Sequence, residues 1–266
     1  MAKSFVSLLV GIAIDDGLIT SVNDPVSKYI PEFYNKKYNI TIRDLLTMGS
    51  GLAWNESYYN PFSVTTKAYY GNSLNKLVID AKTTEPPAKR FEYITANPQL
   101  LSIILQKVTN KTLSEYASEK LWKPLGTKND ASWSLDRKNG VEKSFCCFNS
   151  NVRDFARIGQ LILNKGSWNG QQIVSEKYIK ESLMPAFYLV DKENEPVDFY
   201  GYQWWISNYK STIIYYARGI LGQYIIAIPE KNMVIVRLGH KRSKEKINHH
   251  PKDLFGYIDL GLKIAN

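Results

Sequence analysis

An α+β fold is predicted for this 266-residue chain: an antiparallel sheet flanked by helices, plus a separate helical region. Three observations predict it. Helical periodicity dominates up to about residue 185. After about residue 200 the period shortens to β-branched and aromatic runs separated by turn residues. Apolar helical stretches stand at both ends, over 2–15 and 254–264. One domain over 1–266 is expected, with a helical region about 16–185 and a sheet region about 200–266 packed with helix 2–15.

The elements follow in order. Residues 5–14 form an apolar run that ends in Asp15, Asp16 and Gly17, as a buried helix ends. The run imitates a signal peptide, but no small-x-small cleavage site follows it. Asn23-Asp24-Pro25 is a turn opening a short helix near 26–29. Thr41 is placed to cap a helix through Ile42, Leu45 and Leu46, which Gly49 and Gly51 terminate. Residues 54–87 read as aromatic, polar and irregular, with one helix near 74–81; so long a segment often shapes a cleft.

Helices are then predicted over 97–109, 113–121, 152–164 and 175–184. Strands follow at 202–206, 212–216, 223–228 and 233–238, the last two separated by Pro229-Glu230-Lys231-Asn232. They form an antiparallel meander.

Composition removes several function classes. An apolar content of 44% and a charged content of 22% belong to a packed globular chain rather than a disordered one. The net charge of +9 is scattered, apart from Lys241, Arg242, Lys244 and Lys246, so no nucleic-acid partner is implied. No stretch reaches the roughly 18 apolar residues needed to span a membrane. The two cysteines, Cys146 and Cys147, are adjacent. Neighbours rarely bridge, so no disulfide is expected. Only His240, His249 and His250 occur, all late in the chain, which argues against a Ser-His-Asp triad and against a metal site.

Seven short motifs stand in a telling order. They are Ala2-Lys3-Ser4-Phe5; Asp24-Pro25-Val26 with Ile30-Pro31; Thr41-Ile42-Arg43-Asp44-Leu45-Leu46 with Ser50-Gly51-Leu52; Phe91-Glu92-Tyr93; Pro124-Leu125-Gly126; Arg153-Asp154-Phe155-Ala156-Arg157; and Gly219-Ile220-Leu221-Gly222-Gln223. Nearly end to end, the chain resembles the serine hydrolases of the penicillin-binding-protein and class C β-lactamase superfamily. In motif style it is similar to the 6-aminohexanoate-dimer hydrolase branch.

The resemblance implies hydrolysis of an amide or ester through an acyl-serine intermediate, without metal or cofactor, on a small-molecule or peptide-like substrate. Lys3 matches the lysine of Ser-x-x-Lys, which shares a helix face with the nucleophile and helps deprotonate it. The serine would stand three positions earlier, before Met1, and the chain is expected to be N-terminally truncated, lacking the strands that precede the motif in relatives. Any signal peptide would lie there too, and an extracytoplasmic location is implied by resemblance alone. Ser4 points about 100° away from Lys3 around the helix, and Ser7 lies one turn deeper, away from the helix dipole.

Tyr93 matches the tyrosine that acts with the lysine as general base, its ionised form favoured by the nearby cation. Thr95 stands where class C β-lactamases carry an asparagine, and Asn97 lies two further on; either could contact a substrate amide, and Asn97 could equally cap a helix. Ala217-Arg218-Gly219 stands where β-lactamases carry Lys-Thr-Gly. By resemblance the Ile220 N–H is an oxyanion donor, with Gly219, Gly222 and Gln223 beside the substrate. Arg218 could bind a carboxylate or be a plain strand arginine.

Arg153, Asp154 and Arg157 read as helix-start and salt-bridge structure. Trp54, Tyr58, Tyr59, Trp204 and Trp205 could line a cleft or fill a core. The rival reading is a catalytically inactive fragment or binding domain of the same fold. Strand 233–238 would be an open edge through which chains could associate.

Overall fold

The computed structural model describes residues 1–58 and 60–265; Tyr59 lies outside the described residues. Helix α1 (Ala2–Asp15) is buried without interruption from Ala2 to Ala13. A helix apolar on every side belongs in an interior, and α1 lies between the helical region and the sheet. Its serines are already engaged. Ser4 Oγ donates to Gln203 O at 2.7 Å, and Ser7 Oγ lies 3.3 Å from Tyr178 Oη.

The helical region begins at α2 (Ile42–Leu46), capped reciprocally by Thr41 and Asp44. Helix α3 (Val64–Tyr70), capped by Ser63, was not expected within the irregular stretch 54–87. Its sequence Val-Thr-Thr-Lys-Ala-Tyr-Tyr is poor in helix formers and weakly periodic. Then come α4 (Leu74–Ile79), α5 (Ala96–Thr109) and α6 (Leu113–Ala117), the last running into a π-helical turn. A small hairpin of β1 (Ser132–Trp133) and β2 (Phe148–Asn149) precedes α7 (Val152–Leu163). The hairpin β3 (Ser167–Trp168) and β4 (Gln171–Gln172) separates α7 from α8 (Glu176–Ser182).

The main sheet is an antiparallel meander in chain order: β5 (Trp205–Tyr209), β6 (Thr212–Gly219), β7 (Gln223–Ile228) and β8 (Met233–Arg237). The register pairs Tyr216 with Ile226 and Ile226 with Ile235. Strand alternation then assigns the faces. Ala217, Ile225 and Ala227 pack in the core shared with α1 and α7, where Gly159 lets the α7 backbone approach Val234. Tyr216, Tyr224, Ile226 and Ile228 face a second core with Leu254, Phe255 and Ile258 of the closing helix. A short hairpin, β9 (Lys246–Ile247) with β10 (His250–Pro251), leads into that helix, α9 (Lys252–Ala265).

Two expectations need correction. The first strand starts at Trp205, not at 202. Gln203 has a φ of 64°, its N–H donates to Leu46 O at 3.0 Å, and its Nε2 donates to Leu45 O and Leu46 O. Those residues are used to satisfy carbonyls at the end of α2, so they cannot join a ladder. The second concerns the cysteines: Cys146 and Cys147 are joined by a disulfide. Cys147 takes up the left-handed backbone conformation, φ 60°, which brings the neighbouring sulfur atoms together across a tight ring.

Among the described residues strand β8 pairs only with β7 and forms one edge of the sheet. Among the described residues no helix is long and apolar enough to cross a membrane.

Candidate active site

Lys3 enters the site from the first turn of α1, with 7% of its surface exposed. Its Nζ donates to the Phe145 carbonyl at 3.1 Å and lies 4.8 Å from the centroid of the Tyr93 ring and 6.0 Å from that of Phe145. Among the described residues no carboxylate lies within 4 Å of it. The ammonium is therefore held by one neutral carbonyl and by ring faces. Tyr93 precedes α5 and is anchored through Glu92, whose N–H donates to Met48 O at 2.8 Å. Its ring meets Tyr200 edge-on at 5.9 Å and Trp205 at 5.4 Å.

Arg218, near the end of β6, lies over the same group. Its guanidinium carbon is 3.3 Å from the Trp205 ring centroid and 5.9 Å from that of Tyr93, and Nη1 donates to His249 O at 3.3 Å. It too lacks a carboxylate within 4 Å among the described residues. The result is an undercompensated positive region. Lys246 is pushed down by burial and then by Arg218, Arg242 and Lys192. His250, buried with Nδ1 2.7 Å from Tyr216 Oη, is pushed down to about 3 by burial, then by Arg218 and His249. His249 stacks on Phe199 at 3.9 Å and sets Nε2 3.4 Å from Asp191 Oδ2, a carboxylate far away in sequence.

The turn after β6 comes close to α1. The Met1 nitrogen donates to Arg218 O at 2.7 Å. A Cβ on Gly219 would meet Gln223 Cβ at 2.8 Å and the Met1 nitrogen at 3.5 Å, so the backbone approach needs glycine there. Ile220 is exposed at the turn, and among the described residues its N–H makes no backbone hydrogen bond. Gly222, at φ 82°, gives its carbonyl to Arg237 Nη1 at 2.6 Å.

The other expected substrate contacts are occupied within the protein. Gln223 binds Gly239 at both ends of its amide, accepting from the Gly239 N–H at 2.9 Å and donating to the Gly239 carbonyl. Asn97 is fully buried, accepting from Ser50 Oγ at 2.7 Å. Thr95 gives its N–H and its hydroxyl to the two oxygens of Glu56, at 2.8 and 2.5 Å. Glu56 went unnoticed in the sequence; it also accepts from Tyr58 Oη at 2.6 Å. With burial as the larger cause, its charge helps push the Tyr69 phenol up to about 12.

Of the aromatic residues, Trp205 supports Arg218, Trp204 is fully buried in the core, and Trp54 is buried with Nε1 donating to Thr65 Oγ1. Tyr58 is exposed at 45%. Asp154 and Arg157 form a structural joint at the start of α7, where Asn151 is the cap.

What assembles is a lysine and a tyrosine in van der Waals range, an arginine on an aromatic platform, and a free backbone donor on the adjoining turn. The ammonium lies over the tyrosine ring face, and the cationic groups and the backbone donor together can receive a developing anion.

Comparison with known proteins places the fold. A 6-aminohexanoate-dimer hydrolase from Paenarthrobacter ureafaciens is 27% identical over 256 residues, covering 90% of this chain and 64% of that protein. This chain thus spans under two thirds of the length of that relative. A candidate 6-aminohexanoate-dimer hydrolase from Bacillus anthracis superposes with a TM-score of 0.82 at 24% identity, over 99% of this chain and 70% of that one. The octameric penicillin-binding protein homologue from Pyrococcus abyssi superposes with a TM-score of 0.70 at 21% identity, over 100% of this chain and 65% of that one. At these identities the structures show a shared fold. The family model described as Beta-lactamase matches residues 1–254, and the chain belongs to that family.

Proposed function

We propose that this polypeptide supplies the base network and part of the oxyanion site of a serine hydrolase that cleaves an amide or ester through an acyl-serine intermediate. The observation that carries the reading is Lys3: a nearly buried ammonium 4.8 Å from the Tyr93 ring, with one carbonyl and no carboxylate as partner. The family pattern sets the nucleophile three residues before Lys3, outside this sequence, so the reaction is proposed for a chain that carries a serine there. Lys3 and Tyr93 would take its proton and return one to the leaving group, while the Ile220 N–H would donate to the oxyanion. The substrate would be a small or peptide-like amide or ester. A peptidase, amidase or esterase is favoured over a β-lactamase, because Ala217 stands where the carboxylate-binding lysine is usual.

A fluorophosphonate probe tests the reading. A chain extended upstream, with serine directly before Met1, should be labelled, and Lys3→Ala in that chain should abolish labelling. Labelling that survives Lys3→Ala unchanged would end the proposal.

A further inference from the structure

We propose that the Cys146–Cys147 disulfide is a redox-controlled clamp that positions Lys3 through the Phe145 carbonyl. The inference rests on the reading of Lys3 as the site lysine and adds a means of regulating it. Phe145 O is the hydrogen-bond acceptor of Lys3 Nζ, at 3.1 Å, and the Phe145 ring lies beneath the same ammonium. The peptide carrying that carbonyl leads directly into Cys146. Upstream, the segment is tied to α5: Ser144 N–H and Oγ both donate to Gln99 Oε1, at 3.1 and 2.8 Å. Downstream, the disulfide ring fixes the backbone between Cys146 and Cys147.

The ring holds Cys147 at φ 60°, a conformation that L-residues other than glycine, asparagine and aspartate seldom adopt. Around it, Trp133 Nε1 donates to Cys146 O at 2.9 Å, and Ser134 N–H donates to Cys147 O at 3.1 Å. Both cysteines are half-buried rather than enclosed in the core. In the reaction, a dithiol thiolate attacks one sulfur and the S–S bond breaks. The mixed disulfide then resolves within the reagent. Two electrons and two protons pass to the protein, leaving two Cys thiols, and the reagent leaves as its cyclic disulfide. With the ring open, Cys147 can return to ordinary backbone angles. The Phe145 peptide then has only the Cys146 N–H bond to Lys143 O, at 3.0 Å, to fix its plane, and as that peptide turns Lys3 loses its one fixed acceptor.

The experiment uses the full chain and does not depend on turnover. Thiols are counted by alkylation and mass spectrometry before and after treatment with dithiothreitol, and again after reoxidation. In the same samples, the rate of amine labelling at Lys3 is compared with that at exposed Lys177. The expected result is no free thiol before reduction and two after it. Lys3 labelling should rise at least about fivefold relative to Lys177, as a local opening would produce, and should fall again on reoxidation. A Cys146→Ala/Cys147→Ala chain should label at the faster rate with or without reductant.

Two titratable thiols in the untreated, air-exposed protein would overturn the clamp. So would an unchanged Lys3 rate after two thiols appear, or an equal rise at the half-buried Lys36 and Lys120, which would signal general unfolding. Loss of probe labelling in the extended chain, with the redox response of Lys3 intact, would remove the catalytic reading and leave the clamp standing.

Discussion

Asp154 and Lys3 are both ionic and both nearly buried, at 1% and 7% exposure, yet they are partnered in opposite ways. The Asp154 carboxylate accepts from the N–H groups of Lys128 and Asn129 at 3.0 and 3.1 Å and from the side-chain amides of Asn129 and Asn151 at 3.0 and 2.6 Å. Arg157 Nε adds a charge at 3.5 Å. Burial alone would raise this carboxyl, but the donors overcome it and hold it at about 2. Lys3 has one carbonyl and two ring faces. Both residues stand in motifs on which the sequence resemblance rests. A saturated charge serves as a joint, because changing it leaves several donors unmet; an undersatisfied one keeps donor positions open to a reacting partner.

The contrast is sharpest where the two are exchanged for alanine. In the chain extended with an upstream serine, Lys3→Ala should slow probe acylation by about a thousandfold or more, the scale of general-base loss. Its unfolding free energy should stay the same or rise, since an awkward buried charge is gone. If Lys3→Ala destabilises the fold as much as a joint residue does, the two clusters do not differ in kind. Chemical denaturation beside the labelling rate decides it.

Asp154→Ala is the converse. It should cost about 3 kcal/mol of stability, because the donors from Lys128, Asn129 and Asn151 lose their acceptor in a buried place. The labelling rate of the surviving folded protein should be unchanged. A loss under about 1 kcal/mol would mean that water replaces the carboxylate easily and that the joint is not closed.

Why one half of this contrast was readable in advance comes down to distance along the chain. Lys3 with its buried helix, Phe91-Glu92-Tyr93 before α5, and Gly219-Ile220-x-Gly222 at a strand end are local patterns, and the structure brings all three to one place. The Phe145 carbonyl is not a pattern at all; any residue has one, and this one reaches Lys3 across 142 positions. Trp205 could be read as core or cleft, and only the fold stacks Arg218 on it. Gln223, Asn97 and Thr95 lie in or beside motifs, but Gly239, Ser50 and Glu56 meet them first. The early start expected for β5 ignored Gln203, whose side chain is needed at the end of a helix 157 residues away. The disulfide escaped because adjacency usually forbids one, and only the turned backbone at Cys147 permits it.

The same contrast between satisfied and unsatisfied groups recurs in the sheet. β7 is paired on both sides, whereas β8 is paired on one. β8 has Val234 against α7 and Ile235 against Gly261 of α9, so its faces are covered and its edge is open. We propose that this edge takes up another strand, from a second copy or from residues upstream of Met1. Amides of 233–237 on the open side should exchange quickly in dilute solution and gain protection as concentration rises. Upstream strand-forming residues should remove that dependence and add about 2 kcal/mol of stability. Concentration-independent exchange would show that the edge stays solvated.

The gentlest probe of the contrast is pH, because each cluster holds a group with a lowered pKa. A lowered folded pKa means that the unfolded chain takes up the proton first, so stability falls as pH falls below the unfolded value. For Asp154 that window opens near 3.8 and closes near 2. For His250 it opens at 6.5, because burial and the Arg218 and His249 charges hold the imidazole neutral down to about 3. Between pH 6.5 and 4.5, then, His250 should contribute a loss approaching 1.4 kcal/mol per pH unit, while Asp154 contributes nothing. His250→Gln should flatten that part of the curve, and Asp154→Asn should leave it intact while lowering the plateau at neutral pH. The expected loss from His250 across that window is about 2 kcal/mol, read as the difference between wild-type and variant curves by urea unfolding at matched ionic strength. If the two curves run parallel from pH 6.5 to 4.5, His250 takes up its proton within the fold without penalty. The positive region around Arg218 would then be better compensated, by solvent or by Asp191, than its lack of a carboxylate partner implies.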